Sequence, residues 1–339
     1  MDIENDAFDC ELMEDETIPD EIVKAATQAT FDLLPSKSRT RYEQTYQIFK
    51  KWCLKKKVIS ICEDVLLAYL SEKSETLKCS SLWSLYSMLK AMLRTRRNID
   101  ISKYFKLTAF MKKKSVGYKA KKSRVLNKED IDKFLVEASD EQYLMTKVLL
   151  IMGYTGACRR EEITNILIDD IEDKQTMLLV KIPNTKTNKS RSFIINGEKE
   201  LNLYRKYLAL RPTNVPHRRL FINYNKGKCN KQPVGIHSVG NAPSKIATFL
   251  RLPNPKEYTG HCFRRSSATL LANGGADIIN LKRHGGWSSS QVAEGYIEDS
   301  VQNKIDIANK IQKAGSSNTE IVSETHYNVS SSKKSHVNE

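Results

Sequence analysis

Between Lys112 and Arg124 the chain carries Lys112, Lys113, Lys114, Lys119, Lys121, Lys122 and Arg124, and not one acid. No core can absorb that much like charge, because each buried, unpaired ion costs several kcal/mol. The segment therefore runs along a surface and divides the chain in two. Gly117 and Ser123 weaken any helix through it. With 339 residues in all, each flank is long enough for a domain with its own core. The formal net charge is +15, and an excess of that size favours a polyanionic partner. Acids are concentrated elsewhere: Asp2, Glu4, Asp6, Asp9, Glu11, Glu14, Asp15, Glu16, Asp20 and Glu21 all precede the first lysine. Residues 1–19 read as an acidic, disordered arm, or as a competitor for the basic surface downstream.

Residues 20–114 read as a small all-α domain. Tyr42, Tyr46, Phe49 and Cys53 recur at helical spacing, with Lys50, Lys51, Lys55, Lys56 and Lys57 around them. Three more stripes follow: Val65, Leu66, Tyr69 and Leu70; Leu82, Leu85, Leu89 and Leu93; Tyr104, Leu107, Phe110 and Met111. The aromatic stripe reads as core, and some of the lysines as phosphate contacts. Residues 115–125 form the basic linker, suited to tracking a phosphate backbone and equally to a nuclear import signal.

Residues 126–313 read as a second, α+β domain. Asn127, followed by Asp130, is expected to cap its first helix. Buried helices are expected over Ile131–Val136 and Leu144–Tyr154, and another over Arg159–Leu167. Met177–Ile182 and Ser192–Ile195 read as the paired strands of a hairpin, with Asn184–Ser190 as its turn. Helices resume near Glu198 and continue to Ile311. Residues 314–339, Ser- and Asn-rich, read as a disordered tail. The fold class is thus mainly α with a small antiparallel β-sheet. No apolar run approaches the roughly 20 residues of a membrane span. The 7 cysteines form no CxxC pair, so neither a zinc finger nor a disulfide framework is expected. Cys158 and Cys262 read as small buried thiols behind the residues described next.

Two arginine clusters stand out: Thr155-Gly156-Ala157-Cys158-Arg159-Arg160-Glu161-Glu162, and His261-Cys262-Phe263-Arg264-Arg265. The second leads to Gly285-Gly286-Trp287 and an isolated Tyr296. A guanidinium donates two parallel hydrogen bonds to a phosphate and keeps its charge. A tyrosine hydroxyl, with a pKa of about 10, is a poor nucleophile at neutral pH. It becomes competent where cations stabilise the phenolate and the charge growing on a phosphorane. Two arginines, a histidine and a tyrosine therefore suit cleavage of a phosphodiester through a protein–DNA ester.

On these pieces the chain resembles the tyrosine recombinases of the phage integrase family. The matches are Arg159-x-x-Glu162-Ile163, Lys186 in Thr185-Lys186-Thr187, His261-x-x-Arg264, Gly286-Trp287 and Tyr296, in order from about Leu126 to Ile311. Tyr296 follows Trp287 at the spacing of family members in which tryptophan replaces a second histidine. The resemblance implies a helical core-binding domain followed by a catalytic domain. It implies a site-specific recombinase or integrase that cuts and rejoins double-stranded DNA through a 3′-phosphotyrosine. Arg159 and Arg264 would clamp the phosphate, His261 would exchange protons, Trp287 would donate its N–H, and Glu162 would orient the cluster. Lys186, with Lys189 as runner-up, would protonate the leaving 5′ oxygen. Neither metal nor any other cofactor is implied, since the ester conserves the bond energy. Lys119, Lys121, Lys122 and Arg124 are expected on the DNA backbone, and self-association into a tetramer on DNA is expected. A type IB topoisomerase and a domesticated DNA-binding protein stay open as alternatives. The Arg-Arg pairs and the tryptophan look more like eukaryotic mobile-element recombinases, such as the Crypton type, than most bacterial ones, which implies the nucleus in a eukaryote and the cytoplasm otherwise.

Overall fold

The computed structural model describes residues 19–34, 36–186 and 189–324. All but the last residue of the expected acidic arm, and the tail beyond residue 324, lie outside the described residues. The chain divides into two compact units, with the boundary between Lys121 and Lys122 inside the basic segment.

The first unit is helical throughout: α1 (Asp20–Asp32), α2 (Arg39–Lys55), α3 (Glu63–Ser74), α4 (Cys79–Arg97) and α5 (Phe105–Ser115). Its core is the set of stripes read from the sequence: Tyr46, Phe49, Leu66, Tyr69, Leu70, Leu82, Leu89, Leu93, Leu107 and Met111 are buried. Tyr69 stands edge-on to both Phe49 (5.0 Å) and Trp52 (5.1 Å), a favoured aromatic geometry. These rings serve packing and are not free to stack on bases. Helix α4 stops at Asn98, which takes the left-handed conformation (φ 53°) and returns its N–H to the Arg94 carbonyl, as a C-terminal cap requires.

In the second unit α6 (Lys128–Glu137) opens on the expected cap. Asn127 Oδ1 accepts from the Asp130 N–H (2.7 Å), and the Asp130 carboxylate accepts from the Asn127 N–H (3.1 Å). The central helix, α7 (Asp140–Thr155), is buried from Val148 through Gly153. A short helix, α8 (Arg160–Asn165), leads into an antiparallel sheet of β1 (Ile171–Asp173), β2 (Leu178–Ile182) and β3 (Arg191–Ile195). In the β2–β3 hairpin Val180 faces Phe193 and Ile182 faces Arg191. Helix α9 (Glu198–Ala209), the hairpin of β4 (Ile222–Asn225) and β5 (Lys228–Pro233), and α10 (Ile236–Phe249) follow. The domain ends with α11 (Cys262–Asn273), α12 (Ile278–Gly285), α13 (Ser290–Asp299) and α14 (Val301–Glu324). Helix α11 lies tight against α7: a Cβ on Gly153 would come within 2.5 Å of the Phe263 ring.

Four features differ from the sequence reading. Helix α8 starts one residue late, because Arg159 is its extended cap (φ −73°, ψ 152°). β1 was unforeseen. So was the β4–β5 hairpin, whose Lys226-Gly227 turn uses two left-handed residues; its second strand is polar and exposed, without apolar alternation. Helix α14 runs on to Glu324, past residue 314, at which the tail was expected to begin.

Candidate active site

The site is built on the turn between α7 and α8. Gly156 ends α7, where a Cβ would strike the Phe193 ring at 2.4 Å. Ala157, fully buried, is left-handed at φ 46°. That conformation costs a non-glycine residue about 1–2 kcal/mol. It turns the Ala157 carbonyl inward, where Arg264 Nη1 donates to it at 2.6 Å.

Glu162, with its side chain 3% exposed, is the hub. Its Oε2 caps α8 by accepting the Arg159 N–H (2.9 Å), and its Oε1 accepts from Arg159 Nη1 (2.6 Å). A third donor, Arg191 Nη2, reaches Oε2 at 2.7 Å. Burial opposes the Glu162 charge, but the Arg159 N–H and the Arg191 guanidinium prevail and hold its carboxyl below the ordinary range. The carboxylate thus orients Arg159, as expected, but from N3 to the cap and not along one face of a formed helix.

Arg191 is a residue that the sequence reading passed over. Its side chain, 8% exposed, also donates to the Gly156 carbonyl, to the His284 carbonyl (3.3 Å) and to Cys158 Sγ (3.5 Å). It ties β3 to the ends of α7 and α12 and to the Glu162 hub. Its signal was parity: Arg191 is in phase with Phe193 and Ile195, the buried positions of β3. Cys158 and Cys262 are buried thiols, pushed up to about 11 and about 12 by burial. They pack behind the site and stay neutral.

Helix α11 supplies the second cluster. Arg264 is buried, and its two η nitrogens donate to the Ala157 and Gly285 carbonyls, each at 2.6 Å. Burial first, then the like charge of Arg159, pulls its guanidinium down to about 10, still cationic at neutral pH. Arg160 packs against Gly240 and Gly260: its Cδ would lie 2.8 Å from a Cβ on the first and 3.0 Å from one on the second. His261 is the first residue before α11 and is exposed by surface area. Lost hydration, then Arg264, Arg160, Arg159 and Arg265, lowers its pKa and favours the neutral ring.

Both glycines before Trp287 have a steric reason. Gly286 closes α12 in the left-handed conformation (φ 62°). Gly285 leaves room for the returning indole, which a Cβ would meet at 2.2 Å. Trp287 then lies between Arg264, whose Cζ is 4.5 Å from its ring centre, and Tyr296, ring to ring at 5.3 Å. Arg265 Cζ sits 5.5 Å from the centre of the Tyr296 ring. Two consecutive arginines of α11 therefore flank two neighbouring rings, Trp287 from the turn between α12 and α13 and Tyr296 from α13. His284, left out of the sequence-based site, packs against α11, where Nε2 meets Ser267 Oγ at 2.7 Å, and its carbonyl accepts from Arg191. Burial, Arg191 and Arg264 push its ring down to about 4.

A cavity of about 410 Å³ opens here, walled by Arg159, Lys189, Arg191 and Trp287 and by the last turn of α12. Lys186 is exposed on the hairpin turn and is not part of that wall; Lys189 is. Of the residues expected on DNA, Lys119, Lys121 and Lys122 are exposed. Arg124 is instead paired with Glu257 at 2.7 Å. Among the described residues no group of three His, Cys, Asp or Glu side chains could hold a metal, and no helix is long and apolar enough to cross a membrane.

Residues 124–303, more than half of the chain, match the phage integrase family. The chain belongs to the phage integrase family. Family members of known structure share its fold. The XerH site-specific recombinase, bound to palindromic difH substrate in a post-cleavage complex, superposes with a TM-score of 0.58 at 20% identity, covering 76% of this chain and 74% of that one. The Tn1549 transposon integrase, in complex with a circular intermediate DNA, gives 0.59 at 15% identity, with 83% and 98% covered. A lambda integrase dimer bound to a COC′ core site gives 0.54 at 14% identity, with 83% and 95% covered. No curated protein matches the chain significantly. This family member is a site-specific tyrosine recombinase, an enzyme that cuts and rejoins DNA.

Proposed function

We propose that Tyr296 attacks a DNA phosphodiester, leaving a 3′-phosphotyrosine and a free 5′ hydroxyl, and that reversal with a second strand completes recombination. The observation that carries this reading is the stack of Arg264, Trp287, Tyr296 and Arg265, which holds a tyrosine against the guanidinium of Arg265 and one ring away from that of Arg264, itself anchored by two carbonyls. Arg264 keeps further N–H groups for the phosphate, and Arg159, oriented by Glu162, supplies the opposing donors. His261, biased to its neutral form, is suited to accept the phenolic proton. A lysine of the hairpin turn returns a proton to the 5′ oxygen: Lys186 by the family pattern, or Lys189 by its position on the cavity wall. The step consumes no cofactor, because the phosphodiester bond is exchanged for a phosphotyrosine bond of the same kind.

Assembly into a tetramer on DNA would use α14. Ile305, Ile307 and Ile311 of this helix are 46%, 49% and 68% exposed, an apolar surface suited to a neighbouring subunit. In a eukaryotic mobile element the basic segment before Leu126 would also direct the protein to the nucleus. The test is a supercoiled plasmid carrying two copies of the DNA ends that flank the gene. Deletion or inversion of the intervening DNA supports the reading. Relaxation without exchange would instead mark a topoisomerase, and binding without cleavage a domesticated DNA-binding protein.

A further inference from the structure

The cavity beside Arg159 carries more positive charge than one phosphate can use. Its wall contains five cations, Arg159, Lys189, Arg191, Lys282 and Arg283, and no acid among the described residues. Arg159 and Arg191 share the single carboxylate of Glu162, so the pair retains about one net charge for a phosphodiester, which itself carries one. Lys189 stands on the same wall, on the hairpin turn that serves the proton transfer. Lys282 and Arg283 are then left over. They belong to the last turn of α12, and neither is in an ion pair among the described residues. Lys282 Nζ only touches Ser290 Oγ, at 2.9 Å. Lys282 is half-buried and Arg283 exposed, so both have room to move toward a ligand. Their place at the C-terminal end of α12 is favourable for cations by itself, because the helix dipole is negative there. That accounts for their tolerance in the fold, but not for their opening onto a cavity that already holds two more arginines.

We propose that Lys282 and Arg283 form a second phosphate subsite, which binds the phosphodiester next to the scissile one on the same DNA strand. This rests on the reading of Arg159 as part of the scissile-phosphate clamp. Successive phosphates of one strand are a few ångströms apart along the axis, and a cavity of about 410 Å³ has space for two. Holding the neighbouring phosphate fixes the path of the strand across Tyr296. A phosphate gripped at one point can rotate, whereas one gripped with its neighbour presents a fixed line of attack.

The probes are thymidine 3′,5′-bisphosphate, which spaces two phosphates across one nucleoside as DNA does, and thymidine 5′-monophosphate. Binding of each to the full chain is measured by calorimetry or by displacement of a fluorescent oligonucleotide. The bisphosphate is expected to bind the wild type at least tenfold more tightly than the monophosphate. In a Lys282→Ala, Arg283→Ala double variant that preference should fall to twofold or less, with monophosphate affinity unchanged. The proposal is overturned if the wild type shows no preference, or if the double variant keeps it. A double variant with a lowered melting temperature is replaced by Lys282→Gln, Arg283→Gln, read by the same two affinities. Covalent trapping of DNA by the wild type is scored separately. Absence of the preference in the wild type refutes the subsite, whereas absence of a covalent adduct refutes the catalytic reading and leaves the subsite result standing.

Discussion

Replacing Glu162 by glutamine tests the hub on which the cluster is organised. The change is nearly isosteric, so packing is kept while one charge is lost. The carboxylate accepts three hydrogen bonds, from the Arg159 N–H, Arg159 Nη1 and Arg191 Nη2 at 2.9, 2.6 and 2.7 Å. A glutamine has one acceptor oxygen, and its amide N–H₂ must then face a guanidinium donor. Glu162 and Arg191 are only 3% and 8% exposed, so water cannot substitute. Removing one partner of a buried ion pair costs about 3–5 kcal/mol. At about 2–4 °C per kcal/mol for a domain of this size, the melting transition of the second domain should fall by roughly 6–20 °C. The pH dependence has a defined sign. The folded-state pKa of Glu162 is depressed below its ordinary value of 4.5, against burial and through Arg159 and Arg191. Its contribution is therefore complete above pH 4.5 and is lost as pH falls through the folded-state value. The gap between wild type and Glu162→Gln should be constant near neutrality and narrow below pH 4.5. Thermal unfolding by circular dichroism across pH reads both effects. A cost under about 1 kcal/mol at pH 7 would refute the argument that this carboxylate organises the site.

Three further outcomes are expected. Gly285→Ala should displace the indole that a Cβ meets at 2.2 Å, breaking the Arg264–Trp287–Tyr296 stack; strand cleavage should fall at least tenfold with DNA affinity retained, as gel-shift and single-turnover assays would show. His284→Gln should flatten the acid side of the stability profile: because burial, Arg191 and Arg264 lower the His284 pKa from 6.5 to about 4, the wild type loses on the order of 3 kcal/mol as pH falls across that window, and melts at pH 7 and pH 4.5 would reveal the difference. Arg264→Lys should reduce cleavage by about 10²-fold or more, since an ammonium cannot bridge the Ala157 and Gly285 carbonyls while also bonding a phosphate; near-normal cleavage would point to another arginine.

Arg159, Glu162, His261, Arg264, Trp287 and Tyr296 could be grouped from the sequence because phosphate chemistry depends on residue type and spacing, which the sequence carries directly. The same holds for the helical stripes and the β2–β3 hairpin, whose periodicity reports burial. Arg191 was less visible because a lone arginine on a strand is ordinarily exposed; only its phase with Phe193 and Ile195 marks it as buried. His284 was less visible because its ring partner, Ser267, is on another helix, and no spacing rule encodes that pairing. The β4–β5 hairpin was hidden because β5 is polar, so backbone pairing and not side-chain burial defines it. Arg124 was read as a DNA contact from its basic surroundings, but its partner Glu257 is remote in sequence.

The central claim is that Tyr296 carries the DNA between cutting and rejoining. Its most direct test is a nicked duplex containing the element ends, incubated with the full chain, denatured, digested with protease and mapped by mass spectrometry. The account predicts a 3′-phosphonucleotide on the peptide that contains Tyr296, and no adduct from Tyr296→Phe protein that still binds the duplex. An adduct on any other residue, or one formed by Tyr296→Phe, would contradict it.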